Sequence, residues 1–262
     1  MVRKAGTRGA DVLILDLEDG VLPEAKETAR EAAGLRLADT GFGGAERLVR
    51  VNGCGTPWHA ADLAAMRVLP LDGVVLPKAE SASAVRDVDA ALGGCHALFL
   101  MIETPTGVLH SAELAEASPR VSGLIFGAAD FRAATRLLPL PDETEVLFAR
   151  SAIVLAARAA GIEAFDAPWF DIRDMAGLAR SARLSRALGF DGRTAVHPGQ
   201  VPVIHEAFAP SEREVERART VLAALAEAAA SGKGVAVVDG EMVEGLHARQ
   251  AQSVLDRVAT RI

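Results

Sequence analysis

The sequence predicts an α/β protein whose parallel strands roll into a barrel, and two observations carry that expectation. Short apolar runs without polar alternation, as expected of strands buried on both faces, take turns with helical stretches of roughly 10–18 residues. Each run stops abruptly at polar residues beside Gly, Pro or small side chains, and in a parallel barrel all such strand ends converge on one rim. A chain of 262 residues, half of them hydrophobic, suits one large core of this kind.

Residues 10–17 (ADVLILDL) read as a strand that runs into the acidic Glu18-Asp19-Gly20. The charged, alanine-rich stretch 23–37 has helical spacing. A strand over 47–51 closes on Asn52-Gly53, with Arg50 just before its end, and a helix follows over 62–69. Residues 73–76 form a strand stopped by Pro77-Lys78, and 81–92 are helical. The central pair comes next: 98–103 ends at Glu103, a helix spans about 108–117, and 121–130 ends at Asp130 before an irregular stretch through Pro139 and Pro141. A long helix over 143–160 is closed by Gly161. Then come a strand at 162–166, a helix at 177–188 and a strand at 192–196 that ends at His197-Pro198. That makes about seven strands, one fewer than the eight that close a barrel. Beyond them the repeat stops: Ser211 and Glu214 form a capping box for a helix to Ala230, followed by a ribbon turning at Asp239-Gly240 and a terminal helix over 247–262. The division is a barrel over 1–209 and a lid or oligomerisation extension over 210–262.

The net charge of −7 and the pI near 5.4 leave no electrostatic footprint for nucleic acid or an anionic membrane. No apolar stretch approaches a membrane span, and residues 1–8 lack the apolar centre of a signal peptide. With only Cys54 and Cys95 there is no disulfide framework, so a reducing cytoplasm is the expected compartment.

The strand ends supply Asp16, Glu18, Asp19, Arg50, Asn52, Lys78, Glu103, Asp130, Asp166 and His197, a set better suited to a polar ligand than to a bare turn region. Two carboxylates facing one point, Glu103 and Asp130, repel unless a hard cation such as Mg²⁺ lies between them. The competing account has Glu103 capping the next helix and Asp130 in a solvated turn. Arg50 is either a fork for a substrate carboxylate or a salt-bridge partner of Asp19 or Glu103. Lys78 reads as a charge partner rather than a Schiff-base lysine, because nearby acids oppose a lowered pKa. His197 reads as a structural hydrogen-bonder. Phosphate-cradling glycine loops and a nucleophile elbow are absent, and neither cysteine has an evident base. Metal-assisted carbonyl chemistry is what remains best supported.

VLILDLEDGV at 12–21, LVRVNG at 48–53, VVLPKAE at 74–80, IETPTG at 102–107, IFGAADF at 125–131, FARSAIVLAARAAG at 148–161 and GFDGRTAVHPGQV at 189–201 together resemble the citrate lyase β-subunit-like family of the HpcH/HpaI aldolase superfamily. The resemblance implies a TIM (β/α)8-type barrel with C-terminal elements that pack on a neighbouring subunit, commonly in a homotrimer. It also implies Mg²⁺-dependent cleavage or formation of a carbon–carbon bond between an acyl thioester, on CoA or an acyl-carrier protein, and a 2-oxo acid. On this resemblance Glu103 and Asp130 are the metal ligands, Arg50 contacts substrate with Asn52 and Lys78 beside it, and Glu18 and Asp19 surround metal and water.

Three departures stand out against that pattern. Family members usually begin with another strand ahead of the segment matched here, so the barrel is expected to lack its first strand or the true start to lie upstream. The family's catalytic aspartate of the C-terminal ribbon is replaced by Glu244, with Gly245 where proline is common, and GAED becomes GAAD at Ala129. Within the implied chemistry a citramalyl-, malyl- or citryl-thioester lyase stands first. A 4-hydroxy-2-oxo acid aldolase and a non-catalytic metal-binding relative are the alternatives.

Overall fold

The structure is a computed structural model that describes residues 9–38, 42 and 44–259. Seven parallel strands pair in chain order: β1 (Val12–Asp16), β2 (Glu46–Arg50), β3 (Gly73–Leu76), β4 (Ala97–Ile102), β5 (Val121–Phe126), β6 (Glu163–Asp166) and β7 (Gly192–Arg193). Among the described residues β1 and β7 each pair on one side only, so the sheet stays open, as a barrel with one empty slot should. Burial follows the topology. Every residue of β3 is buried, whereas β1 is nowhere fully buried and Ile14 is 36% exposed.

One face of the sheet is filled by Leu48, Val75, Phe99 and Ile125 from four successive strands, with Val12, Met101 and Phe165 packed on them. Size alternation makes this possible. A Cβ on Gly73 would stand 3.2 Å from the Phe99 ring and one on Gly123 2.8 Å from it, so the two neighbouring strands are bare where the ring lies.

Several helices differ from the sequence expectation. The helix expected near 108–117 is two short ones, α4 (Pro105–Leu109) and α5 (Ser111–Ala115), because His110 leaves helical geometry between them. The fifth strand stops at Phe126 rather than at Asp130. The small residues Gly127, Ala128 and Ala129 let a helix start at once, and α6 (Ala128–Thr135), with Asp130 in its first turn, takes the start of the expected irregular stretch, which continues through Pro139 and Pro141. Helix α7 (Leu147–Ala160) ends at Gly161 with φ 70°, as the sequence indicates. An unforeseen helix spans Val201–Phe208. Among the described residues no helix is long and apolar enough to cross a membrane.

Asp166 and its neighbours hold the β6–β7 end of the sheet together. Arg150 on α7 is fully buried and pairs with Glu143 at 2.9 Å and with Asp166 at 3.0 Å. Arg193 reaches Asp166 at 3.4 Å, while Ser181 and Ser185 donate to Glu143 and Asp166. Asp166, expected on the ligand-binding rim, is instead wholly inside this network.

Phe208–Ile262 form a second compact unit. The capping box of Ser211 and Glu214 starts the helix Glu212–Ala230. Strands Ala236–Val238 and Glu241–Val243 pair antiparallel across a turn in which Asp239 and Gly240 have φ of 51° and 82°, and Gly245–Ala259 is the last helix. Ala218, Val221, Val238, Val243 and Ala251 make its own small core.

Truncating Arg150 would strand two buried carboxylates with one fewer counter-charge. Arg150→Ala is expected to lower the unfolding free energy by about 3–5 kcal/mol, read as a drop in the urea midpoint.

Candidate metal and substrate site

Three consecutive loops after β1, β2 and β3 are tied together before they reach Glu103. Lys26 is buried and donates to the carbonyls of Leu17 at 2.8 Å and Glu18 at 2.7 Å, and to Asn52 Oδ1 at 2.6 Å, with its ammonium 5.3 Å from the centre of the Trp58 ring. Asn52 in turn donates through its backbone N–H and its Nδ2 to one oxygen of Asp62, whose other oxygen takes Arg30. Both ends of the Asn52 amide are thus engaged within the protein. Neither Lys26 nor Asp62 was singled out by the sequence. The signal that could have found them is a lone Lys and a lone Asp on the apolar side of otherwise amphipathic helices.

Arg50, at the end of β2, forks onto Asp16, with Nε at 2.7 Å and Nη2 at 2.6 Å, and its Nη1 lies 3.1 Å from Glu18. The expected partners Asp19 and Glu103 are therefore replaced by Asp16 and Glu18. Asp16 sits directly opposite Arg50 in the β1–β2 register, so the pairing follows from the sheet itself. Burial opposes ionisation of Asp16, and the Arg50 fork together with the N–H groups of Glu18 and Gly20 outweighs it, holding the carboxyl below its usual range.

Lys78 follows β3 in the left-handed region, φ 51°. That turn points its backbone N–H at Glu103 Oε1, 2.8 Å away, while its Nζ reaches Glu18 at 2.6 Å and Asp19 at 3.5 Å. Burial lowers its pKa, but Glu18, Asp19 and Glu103 more than reverse this, the opposite of the lowered pKa that a Schiff-base lysine needs.

Glu103 is the residue all of this surrounds. It is 2% exposed, directly after β4, and its carboxyl is pushed up to about 7 by burial, partly relieved by the Lys78 N–H and reinforced by the like charges of Asp130 and Glu18. It caps no helix, since Thr104 caps α4. Asp130, half-buried in the first turn of α6, acts on it electrostatically, so the two acids do share one region. Gly127 makes room for Glu103: a Cβ there would stand 2.5 Å from both Glu103 Cβ and Oε2.

A buried carboxylate with acidic neighbours and one backbone donor among the described residues is the kind of arrangement that a hard divalent cation would complete. Among the described residues no group of three or more His, Cys, Asp or Glu side chains is placed to hold a metal. Two carboxylates with water and substrate in the remaining positions is the donor set Mg²⁺ commonly takes. His197 lies outside the constellation: its Nδ1 accepts from Gly199 N–H at 3.0 Å and starts a turn of 3-10 helix. Glu244 is exposed in the second unit, where its backbone N–H donates to His247 Nδ1 at 3.1 Å.

A divalent ion must displace the Glu103 proton below about pH 7. Mg²⁺ affinity is therefore expected to weaken as pH falls through about 7 and to level off above it, measurable by calorimetric titration in buffers of different ionisation heat. Gly127→Ala, which pushes on the Glu103 carboxylate without adding or removing a charge, is expected to cost about 10–100-fold in Mg²⁺ affinity by the same measurement.

Comparison with known proteins identifies the family. The family profile described as HpcH/HpaI aldolase/citrate lyase matches residues 1–198, and one described as a C–C bond lyase of the TIM-barrel fold matches residues 146–260. The citrate lyase subunit β of Leuconostoc mesenteroides subsp. cremoris is 36% identical over 97% of this chain and 88% of its own length. A (3S)-malyl-CoA thioesterase of Cereibacter sphaeroides is 38% identical, again over 97% and 88%. The crystal structure of Mycobacterium tuberculosis CitE in complex with magnesium, acetoacetate and coenzyme A superposes with a TM-score of 0.83 at 34% identity, covering 98% of this chain and 95% of that one. The sequence, the open parallel barrel and these matches agree: the chain belongs to the HpcH/HpaI aldolase/citrate lyase family.

Proposed function

We propose that this protein is a Mg²⁺-dependent carbon–carbon lyase that splits a β-hydroxyacyl thioester of the citryl, citramalyl or malyl type, carried on CoA or an acyl-carrier protein, into an acyl thioester and a 2-oxo acid. The observation that carries the reading is the pairing of buried Glu103 with Asp130 beside the cations Arg50 and Lys78. Complexes of the Mycobacterium tuberculosis relatives with magnesium, oxaloacetate and coenzyme A support it.

When bound, Mg²⁺ supplies a Lewis acid for the carbonyl of the 2-oxo acid. Glu103 and Asp130 hold the ion. Arg50, fixed by Asp16, turns Nη1 toward the acidic loop, and with Lys78 it balances the negative charge that grows as the thioester enolate leaves. Glu18 and Asp19 set the positions of those cations and of water around the metal. Glu244 takes the hydroxyl proton, offered by a second copy of the chain. Exposed Val235, Val237 and Met242 on the same unit support such self-association.

A second reading is hydrolysis of the thioester itself, favoured by the 38% identical malyl-CoA thioesterase. Products separate the two. A lyase turns malyl-CoA into acetyl-CoA and glyoxylate, whereas a thioesterase gives free CoA and malate.

Purified protein with Mg²⁺ and a panel of malyl-, citramalyl- and citryl-CoA is expected to release an acyl-CoA and a 2-oxo acid from one member. Glu103→Gln is expected to lower that rate by at least ~10²-fold, and chelation of the metal to abolish it. Metal binding with no turnover of any member would instead mark a non-catalytic relative. Light scattering is expected to show a homo-oligomer, with a trimer favoured.

A further inference from the structure

The loop after β2 holds a second nucleophilic arrangement that the sequence does not reveal. Cys54 Sγ lies 3.7 Å from His59 Nε2, and His59 Nδ1 lies 2.7 Å from the carbonyl oxygen of Asn52. A carbonyl oxygen only accepts, so Nδ1 carries the proton and Nε2 of the neutral ring is left as an acceptor aimed at the thiol. The expectation that neither cysteine has a base is thus corrected for Cys54. The loop between the two residues is braced by Thr56, whose N–H and hydroxyl both donate to the Gly53 carbonyl, and by the N–H of His59 donating to the Thr56 carbonyl. Asn52, the orienting residue, is itself buried and anchored by Asp62.

This pair opens onto a groove of about 550 Å³ between the helices His59–Met66 and Ala82–Ala91. Ala60, Leu63, Ala84 and Val88 give it an apolar lining, and Arg67 and Asp87 supply its charges. The volume suits a short acyl chain. Among the described residues Cys95, also free and exposed, has the Gly93 carbonyl as its partner and bonds no histidine, so one molecule contains both the thiol with a base and its reference.

We propose that Cys54, with His59 as its base, is acylated by short-chain acyl thioesters, the acyl group lying in the groove between the two helices. The choice of a thioester rests on the function proposed above. Sγ attacks the thioester carbonyl as its proton passes to His59 Nε2, the bond from the acyl carbon to the CoA sulfur breaks, and the departing thiolate takes the proton from His59. The products are S-acyl-Cys54 and free CoA. Burial, with the Asp87 charge adding to it, pushes the Cys54 thiol up, so the resting group is the neutral thiol and removal of its proton is the step His59 must supply.

The test is incubation of the whole chain with acetyl-CoA or butyryl-CoA, followed by peptide mass spectrometry before and after hydroxylamine, which cleaves thioesters. The expected result is one hydroxylamine-sensitive acyl group on Cys54, with little on Cys95. His59→Asn keeps a donor near the Asn52 carbonyl but deletes the acceptor at Nε2, and it is expected to slow labelling of Cys54 by at least ~10²-fold while leaving Cys95 unchanged. Equal labelling of the two cysteines, labelling of Cys95 alone, none at all, or a Cys54 rate indifferent to His59→Asn overturns the proposal. Lyase turnover is scored separately on the unmodified sequence. Acylation without turnover sinks only the lyase reading, and turnover without acylation sinks only this one.

Discussion

A carboxylate shut away from water with other acids beside it cannot be left alone, and the upper rim of this sheet is arranged around that constraint at Glu103. Its single backbone donor, the Lys78 N–H, is too little compensation for loss of hydration, which is why the group resists ionisation in the metal-free protein. The rest of the rim supplies positive charge nearby without neutralising it directly. Arg50 and Lys78 both lean on Glu18, and Arg50 is fastened by Asp16. Lys26, a buried cation surrounded by carbonyl oxygens, fixes the loop that carries Glu18. The result is a group of acids braced by cations, with Glu103 at its centre.

The same chain handles buried charge in a second way only two strands away. Arg150, Glu143, Asp166 and Arg193 pair with one another, helped by Ser181 and Ser185, although Arg150 Nη1 and Arg193 Nε have no hydrogen-bond partner among the described residues. Nothing in that network asks for an outside ion. The two differ in charge balance: in one, two arginines face two carboxylates, whereas in the other Glu103 has acids among its nearest charged neighbours.

Much of this was legible in the sequence, because unbroken apolar runs ending in charged residues encode both the parallel sheet and the rim. The strand order, the isolated character of the last elements and the gathering of Glu18, Arg50, Lys78 and Glu103 follow from that grammar. What escaped was governed by contacts between segments far apart in the chain. Asp166 looks like any other strand-end acid until Arg150, on a helix sixteen residues upstream, is brought over it. Asp130 follows an apolar run and so reads as a strand end, whereas Gly127 and two alanines let a helix begin at Ala128, two residues before it. In sequence terms Arg50 has Asp19 and Glu103 as plausible partners, and the β1–β2 register selects Asp16 instead. The Cys54–His59 pair depends on how one loop folds back on itself, which carries no periodicity to read.

The open margins of the sheet have a consequence of their own. Amide hydrogens along β1 and β7 lack the second flanking strand that shields those of β3 to β5, so solvent deuterium should invade the sheet from its two borders inward. Protection would then rise toward Val75 and Leu100 and fall toward Ile14. Whatever chain segment or partner seals that seam would change the isotope pattern first at Ile14, before any difference appeared around the acids of the rim.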